Sequence, residues 1–312
     1  MVKYSLVLPI YKNEKNIAPL LLALENLQQR LSGQCEFIFV IDGSPDDSEQ
    51  VILDQATKNI DHSVLLSLSK NYGSFTAIRA GMGEAKGKFI AVMAADLQEP
   101  PELILELFST LETGKTDICF GQRVSRKDPY GKKLLSKLFW GAYRRLVISE
   151  IPSGGVDIFA CNVKVRDSVL SIEERNSSLV AQLFWVGYRR AFVPYERRER
   201  EIGKSAWGFR KRVRYMLDSI FSYTDLPIML LLVIGTIGLL LSLMYIFFIS
   251  LAYMFGLIEQ PGFTSQSILI TLFGSASILG QGILGCYLWR ILENSKKRPL
   301  YIIDKKIELT KN

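Results

Sequence analysis

The stretch "VMAADLQEPPEL", residues 92–103, ends an apolar run on one carboxylate, Asp96, with Gln98 two residues on and a Pro100, Pro101 pair behind it. A lone carboxylate thus stands at the end of a buried strand, where most metal-using enzymes place two. Mg2+ and Mn2+ prefer oxygen ligands and need few from protein when phosphate oxygens and water complete the octahedron. Three earlier apolar runs also end in polar residues: Pro9, Tyr11 and Glu14 after the first, Asp42, Gly43 and Ser44 after the second, Lys70 and Asn71 after the third. Four such ends at one rim are a stronger sign of a binding site than any single motif. Taken singly, "DGSPDDS" reads equally well as a turn with a helix cap; Asp96 as a mere cap for the helix opening near Pro101 would leave the other strand ends unexplained.

The elements that must position these residues alternate. "YSLVLPIY", "CEFIFVID", "SVLLSLS" and "KFIAVMAAD" read as strands, and "KNIAPLLLALENLQQRLS", "DDSEQVILDQATKN" and the segment from Ser74 to Glu84 as helices. Strands apolar without alternation, separated by helices, predict an α/β fold with a mostly parallel, Rossmann-like sheet covered on both faces. Ligands of such sheets bind beyond the carboxyl ends of the strands, where the polar residues above fall.

Hydrophobic residues make up 48% of the 312, and they are concentrated late in the chain. No charge occurs from Leu226 to Ile258 or from Gln260 to Trp289, and each run exceeds the roughly 20 residues a bilayer-spanning helix needs. Bases flank the pair, among them Arg210, Lys211, Arg212 and Arg214 before and Arg290, Lys296, Lys297 and Arg298 after, whereas the intervening loop has one acid and no base. The positive-inside rule then predicts a multi-pass protein of the cytoplasmic membrane with two spans, the catalytic domain and both termini being cytoplasmic. The expected divisions are a catalytic domain over 1–205, a juxtamembrane amphipathic helix over 206–225, two transmembrane helices over 226–290 with an external loop near 257–265, and a basic cytoplasmic tail over 291–312. One histidine, His62, and four scattered cysteines, Cys35, Cys119, Cys161 and Cys286, exclude a histidine metal centre, a zinc finger and a disulfide framework.

"LPIYKNEKNI", "VIDGSPDDS", "LSKNYGSFTAIRAG" and "MAADLQEPPELI" resemble, in order and spacing, the nucleotide-sugar-binding half of inverting GT-A glycosyltransferases. The resemblance continues through "PSGGVDIF", "RREREIGKSAW" and "WRILENSKKRPLYII" and is nearest to the polyprenyl-phosphate hexosyltransferases, the group of dolichol-phosphate mannose synthase and the bactoprenol glucosyltransferases. It implies a nucleotide diphosphate sugar of the UDP-glucose or GDP-mannose type as donor, a polyprenyl phosphate as acceptor and Mg2+ or Mn2+ as cofactor. Pro9, Tyr11, Glu14, Asp42, Lys70 and Asp96 are then the donor residues, and Asp96 and Gln98 the metal ligands. Ala94 stands where the family usually has a further Asp, and Lys12 and Asn13 replace the usual residues before Glu14. Base and ribose recognition would rest on Asp42 with the backbone around Pro9 and Tyr11.

By the same resemblance Arg200 contacts the diphosphate, Lys204 and Ser205 shape a lid, and Arg123, Lys133 and Ser136 hold the acceptor phosphate, a group that Lys204 and Ser205 also serve. Asp157 is the general base or the orienting group near the acceptor. "GQRVSRKDPYGKKLLSKLFWGAYRRLVI" and "WGFRKRVRYMLDSIFSYTD" place bases around apolar residues at helical spacing, as helices on an anionic membrane surface do. No nucleic-acid partner is expected, and self-association is left open. A processive polysaccharide synthase and a non-catalytic membrane-anchored nucleotide-sugar or lipid-phosphate binding protein are the competing readings. "QLFWVGYRR" only loosely echoes the QxxRW segment of the first, and Ala94 is the main support for the second.

Overall fold

The computed structural model describes residues 2–124, 141, 144–145, 148, 150–152, 156–174, 177–198, 217–221, 224, 226–255 and 263–309; side chains at some of these positions, Asp157 among them, lie outside the description. Lys133, Ser136, Arg200, Lys204 and Ser205 fall outside it altogether. The chain divides into two compact units, Met1–Tyr215 with Arg298–Asn312, and Met216–Lys297.

The first unit is built on β1 (Tyr4–Ile10), β2 (Cys35–Ile41), β3 (Ser63–Leu68), β4 (Phe89–Val92), β5 (Ile118–Arg123), β6 (Val156–Asn162), β7 (Arg190–Tyr195) and β8 (Ile303–Leu309). They form one sheet in the order β7-β5-β6-β4-β1-β2-β3-β8. β1 pairs in parallel with β2 and β4, β2 with β3, and β5 with β7. β6 runs antiparallel between β4 and β5, and β8 antiparallel beside β3. The carboxyl ends of β1 to β5 and of β7 therefore share one rim with the start of β6 and the start of β8.

The unbroken apolar character of the central strands follows from burial on both faces. Leu6, Leu8 and Ile10 of β1 and Phe37, Phe39 and Ile41 of β2 face one layer, filled by α1 (Glu14–Arg30), α2 (Ser48–Asn59) and α4 (Pro101–Glu112). Val7, Ile38 and Val40 face the other, filled by α3 (Ser74–Glu84), α5 (Val163–Leu170) and α6 (Leu179–Trp185). α1 turns Ile17, Leu20, Leu21, Leu24 and Leu27 inward at helical spacing. Leu8 is fully buried, so truncating it to Ala costs about 2–5 kcal/mol. α3 lies so close to β1 that a Cβ on Gly81 would come 2.4 Å from Val7 Cγ1, which leaves room only for glycine.

The residues expected as a basic tail take two forms. Helix α8 (Phe263–Ser295) runs through the first of them, and Ile303–Leu309 is β8, in register with β3 from Ser63↔Leu309 to Leu68↔Ile303. Lys305 and Lys306 anchor β8 to Glu49 and Glu84 at 3.0 and 2.5 Å. The first unit is thus completed by strand residues that follow the apolar helices in the chain.

The second unit contains α7 (Leu226–Met254) and α8, 29 and 33 residues long. Arg290 pairs with Asp218 at 2.8 Å, and the Phe221 ring meets the Tyr287 ring edge-on, fixing residues 217–221 to the last turns of α8. Among the described residues no helix is long and apolar enough to cross a membrane. The sequence of α7 from Leu226 to Met254 carries no charge.

Candidate active site

The strand order turns at β1, with β2 and β3 on one side and β4 on the other. In an open α/β sheet this switch point opens a crevice at the carboxyl rim. Tyr11 and Lys12 follow β1 on one lip, and Asp96 follows β4 on the other. Both lips carry left-handed non-glycine backbone, Lys12 at φ 57° and Leu97 at φ 52°, a conformation retained where surrounding bonds over-determine it.

The β1–α1 and β2–α2 loops are knitted by Asp46. Its carboxylate accepts the Ser44 hydroxyl at 2.5 Å, the Ser48 hydroxyl at 2.8 Å and the Glu14 amide at 3.1 Å, while Ser44 Oγ accepts the Lys12 amide at 2.7 Å. Burial alone would push the Asp46 carboxyl up. The hydroxyls of Ser44 and Ser48 and the amides of Glu14 and Ser48 outweigh it and hold the group below the usual carboxylate range. The sequence reading missed Asp46, although an Asp two residues before a helix-opening Ser is an Asx-turn signal.

Asp42, 2% exposed, ties the second loop to the third. Its two carboxylate oxygens accept the Tyr72 and Gly73 amides at 2.7 and 2.9 Å, and its carbonyl accepts Asn71 Nδ2 at 3.0 Å. Burial raises its pKa, and the two amides oppose the rise. The expected base- and ribose-reading group thus has each oxygen bonded to one backbone amide, which fixes the carboxylate against the β3–α3 loop. Gly43, at φ 56°, lets that loop approach: a Cβ there would sit 2.3 Å from the Lys70 carbonyl carbon. Lys70 is exposed, with its ammonium over the Tyr72 ring, and β8 enters the same corner, where the Ser69 amide donates to the Ile302 carbonyl at 3.0 Å. Tyr11 and Glu14 are exposed and Pro9 is half-buried within β1.

On the other side of the crevice Asp96 is half-buried, and the Gln98 amide donates to it across a long 3.4 Å. Gln98 Oε1 accepts Arg197 Nη2 at 2.6 Å, and the same guanidinium forms an ion pair with the buried Glu99 at 3.3 Å. The Arg198 amide donates to the Gln98 carbonyl at 2.9 Å. Arg123 ends β5, half-buried beside Tyr195 of β7. Register places the backbone of Asp157 at the start of β6, between the ends of β4 and β5, so Asp96, Asp157 and Arg123 are neighbours along the rim.

Among the described residues no group of three His, Cys, Asp or Glu gathers to hold a metal ion. One half-buried carboxylate, Asp96, fits a hard cation that takes most ligands from diphosphate and water, and does not fit a cation caged by protein. A cleft lined by Pro100, Glu102, Leu103, Glu106, Pro194, Tyr195, Glu196 and Arg198 lies beside α4 and β7.

A family model described as glycosyl transferase family 2 matches residues 5–208. The chain is 33% identical over 306 residues to the uncharacterized glycosyltransferase sll0501 of Synechocystis sp., covering 97% of this chain and 95% of that protein. It is 30% identical over 314 residues, 99% of this chain and 95% of the relative, to the undecaprenyl-phosphate 4-deoxy-4-formamido-L-arabinose transferase of Proteus mirabilis. Among solved structures, the mannosyltransferase PcManGT of Pyrobaculum calidifontis, in complex with GDP-Man and Mn2+, shares the fold with a TM-score of 0.51 at 15% identity, over 70% of this chain and 63% of that one. The α/β sheet, the crevice at its switch point and the family match along two thirds of the chain agree: the chain belongs to glycosyl transferase family 2 and is a glycosyltransferase.

Proposed function

We propose that the chain transfers a hexose from a nucleotide diphosphate sugar to a polyprenyl phosphate with inversion, giving a polyprenyl-monophosphate sugar for cell-surface glycan modification. The observation that carries this reading is the order of residues along the rim, with the loops held by Asp42 and Asp46 on one side of the crevice and Asp96, Asp157 and Arg123 on the other. The first group suits a nucleotide and the second a transferring sugar and two phosphates. The relative that acts on undecaprenyl phosphate supports the acceptor class, and the neighbour that holds GDP-Man and Mn2+ supports the donor class.

The reaction is a single in-line displacement. The bond from the anomeric carbon to the leaving diphosphate oxygen breaks as a bond to the acceptor phosphate oxygen forms, and the nucleoside diphosphate departs. A phosphate monoester, with a second pKa of about 6, is already largely ionised near neutrality, so positioning matters more than deprotonation. Asp157 takes the orienting or basic role, Arg123 with Lys133 and Ser136 receives the acceptor phosphate, and Arg200, supported by Lys204 and Ser205, neutralises the departing charge. A divalent cation held by Asp96 would supply further neutralisation there.

The two long helices are read as a hairpin through the cytoplasmic membrane. A helix apolar on all sides is stable only in an apolar surround, and Ile228, Leu230, Ile234, Ile237, Leu241 and Phe248 are exposed on α7. Since β8 rejoins the sheet that the chain leaves before α7, the intervening segment must cross an even number of times. The test is transfer of radiolabelled sugar from UDP-glucose or GDP-mannose to undecaprenyl phosphate in membranes containing the full chain. Butanol-extractable product carrying one sugar is expected; label that extends into polymer, or that never enters lipid with any donor of a nucleotide-sugar panel, would overturn the proposal.

A further inference from the structure

The β4 rim is fastened by a residue that lies 99 positions further along the chain. The Arg197 guanidinium reaches two successive residues of the loop after Asp96, donating through Nη2 to Gln98 Oε1 at 2.6 Å and pairing through Nε with Glu99 Oε1 at 3.3 Å. Glu99 is 1% exposed, so its charge is stable in the fold only while a cation faces it. The neighbouring Arg198 amide adds a backbone bond to the Gln98 carbonyl, which closes the attachment of the β7 exit to the β4 exit. Arg suits the place because its planar fork contacts both residues at once, which a single ammonium does not.

We infer that Arg197 is a positioning residue for Asp96, and that the Gln98 side chain serves Arg197 and not a divalent cation. The inference rests on the function proposed above and deepens it, since it names what fixes the cation-facing carboxylate. A guanidinium bonded to Gln98 Oε1 occupies that oxygen with positive charge, and a second cation drawn to the same oxygen would be repelled by it. With Ala94 in place of an acid and Glu99 buried against Arg197, Asp96 is the carboxylate of the loop that remains half-exposed, and it is joined to the clamp through Leu97, held at φ 52°.

The test is binding of Mn2+ to the full-length detergent-purified protein in the presence of UDP, and separately of GDP, followed by loss of the free Mn2+ paramagnetic resonance signal. Gln98→Glu keeps the shape and adds a charge. The inference expects the new carboxylate to pair with Arg197, leaving Mn2+ affinity within about twofold of the wild type and the melting temperature unchanged or higher. Affinity raised about tenfold or more would place the residue 98 oxygen on the ion and overturn the inference while leaving the proposed function intact. Arg197→Lys keeps the charge facing Glu99 and loses the fork; Mn2+ affinity should fall about fivefold, and should fall no further when the change is made in Asp96→Asn, because Arg197 acts through Asp96. A full additional loss in that background would show a general structural effect and overturn the positioning role. A wild-type protein that binds no Mn2+ with either nucleotide removes both the inference and the cation-assisted reading of the function.

Discussion

The two sides of the crevice are held by different chemistry. Beyond β1, β2 and β3 the loops are fastened by carboxylates that accept backbone amides: Asp42 from Tyr72 and Gly73, Asp46 from Glu14 and Ser48. Beyond β4 and β7 the fastening is a guanidinium between side chains, Arg197 with Gln98 and Glu99. Backbone bonds fix the shape of a loop whatever its outward side chains are, which suits the half assigned to a nucleotide. Side-chain bonds place particular charged groups, which suits the half assigned to sugar transfer. Changes in the transfer half should therefore be read mainly in turnover, and changes in the nucleotide half mainly in stability and donor affinity.

The largest effect is expected at Asp96. Asp96→Asn should lower kcat by about a hundredfold or more, the scale seen when one preorganised charge-stabilising group is removed, with little change in melting temperature because the side chain is half-buried. Steady-state kinetics at fixed Mg2+ or Mn2+, with thermal unfolding of the same preparation, make the check. A fall in stability that accounts for the lost rate would erase the distinction between the halves.

Gly43→Ala should do the reverse. The added methyl meets the Lys70 backbone at 2.3 Å and imposes a positive φ on an L residue, so about 3 kcal/mol of stability should be lost and donor KM should rise more than kcat falls. A methyl accepted without loss, measured by urea unfolding, would mean that the Lys70 loop moves freely from the Asp42 loop.

How legible these halves were in the sequence follows from the range of their bonds. The parallel strands announced themselves because burial on both faces makes "CEFIFVI" and "YSLVLPI" continuously apolar, and the polar rim followed from the strand ends. The two amide bonds of Asp42 were hidden, since an acid after a strand looks the same whether or not its own chain donates to it. Arg197 was hidden by distance along the chain; nothing in "RRER" marks which arginine turns back toward Gln98. β8 was hidden by its position. As an edge strand it exposes Asp304, Lys305, Lys306 and Glu308 and buries Leu309, a pattern that reads as a charged tail. A truncation after residue 205 therefore removes a strand of the sheet along with the helices, and should bare the β3 edge.

Asp42→Ala should rank next, leaving the Tyr72 and Gly73 amides without their acceptor inside a nearly closed site. A cost of about 2 kcal/mol in unfolding free energy is expected, with donor affinity weakened in proportion to the loosened β3–α3 loop. Asp42→Asn keeps one acceptor oxygen and should recover part of the loss. If Asn were as damaging as Ala, the negative charge and not the amide bonds would be the contribution.

The smallest effect, and the one that separates the two fastening schemes by pH, concerns Asp46. Its carboxyl is held below the usual range in the fold, so the unfolded chain binds the proton more readily between the two pKa values. In that window the number of protons bound is greater in the unfolded state, and stability rises with pH. The contribution of Asp46 is therefore fully present above the ordinary aspartate value of about 4 and is lost as pH falls through the lower folded value. Asp46→Asn should cost about 1 kcal/mol at neutral pH, and the difference from the wild type should shrink as the pH is taken below about 4. Asp42 has the opposite sign: burial raises its folded pKa, so its ionisation works against the fold as pH rises past the unfolded value, and Asp42→Asn should lose its pH-dependent part in the reverse direction. Urea titrations of both variants from pH 3 to 7 compare the two slopes. Parallel slopes would mean that the Ser44, Ser48 and Glu14 bonds to Asp46 do not outweigh its burial, and that the two carboxylates of the nucleotide half are held alike.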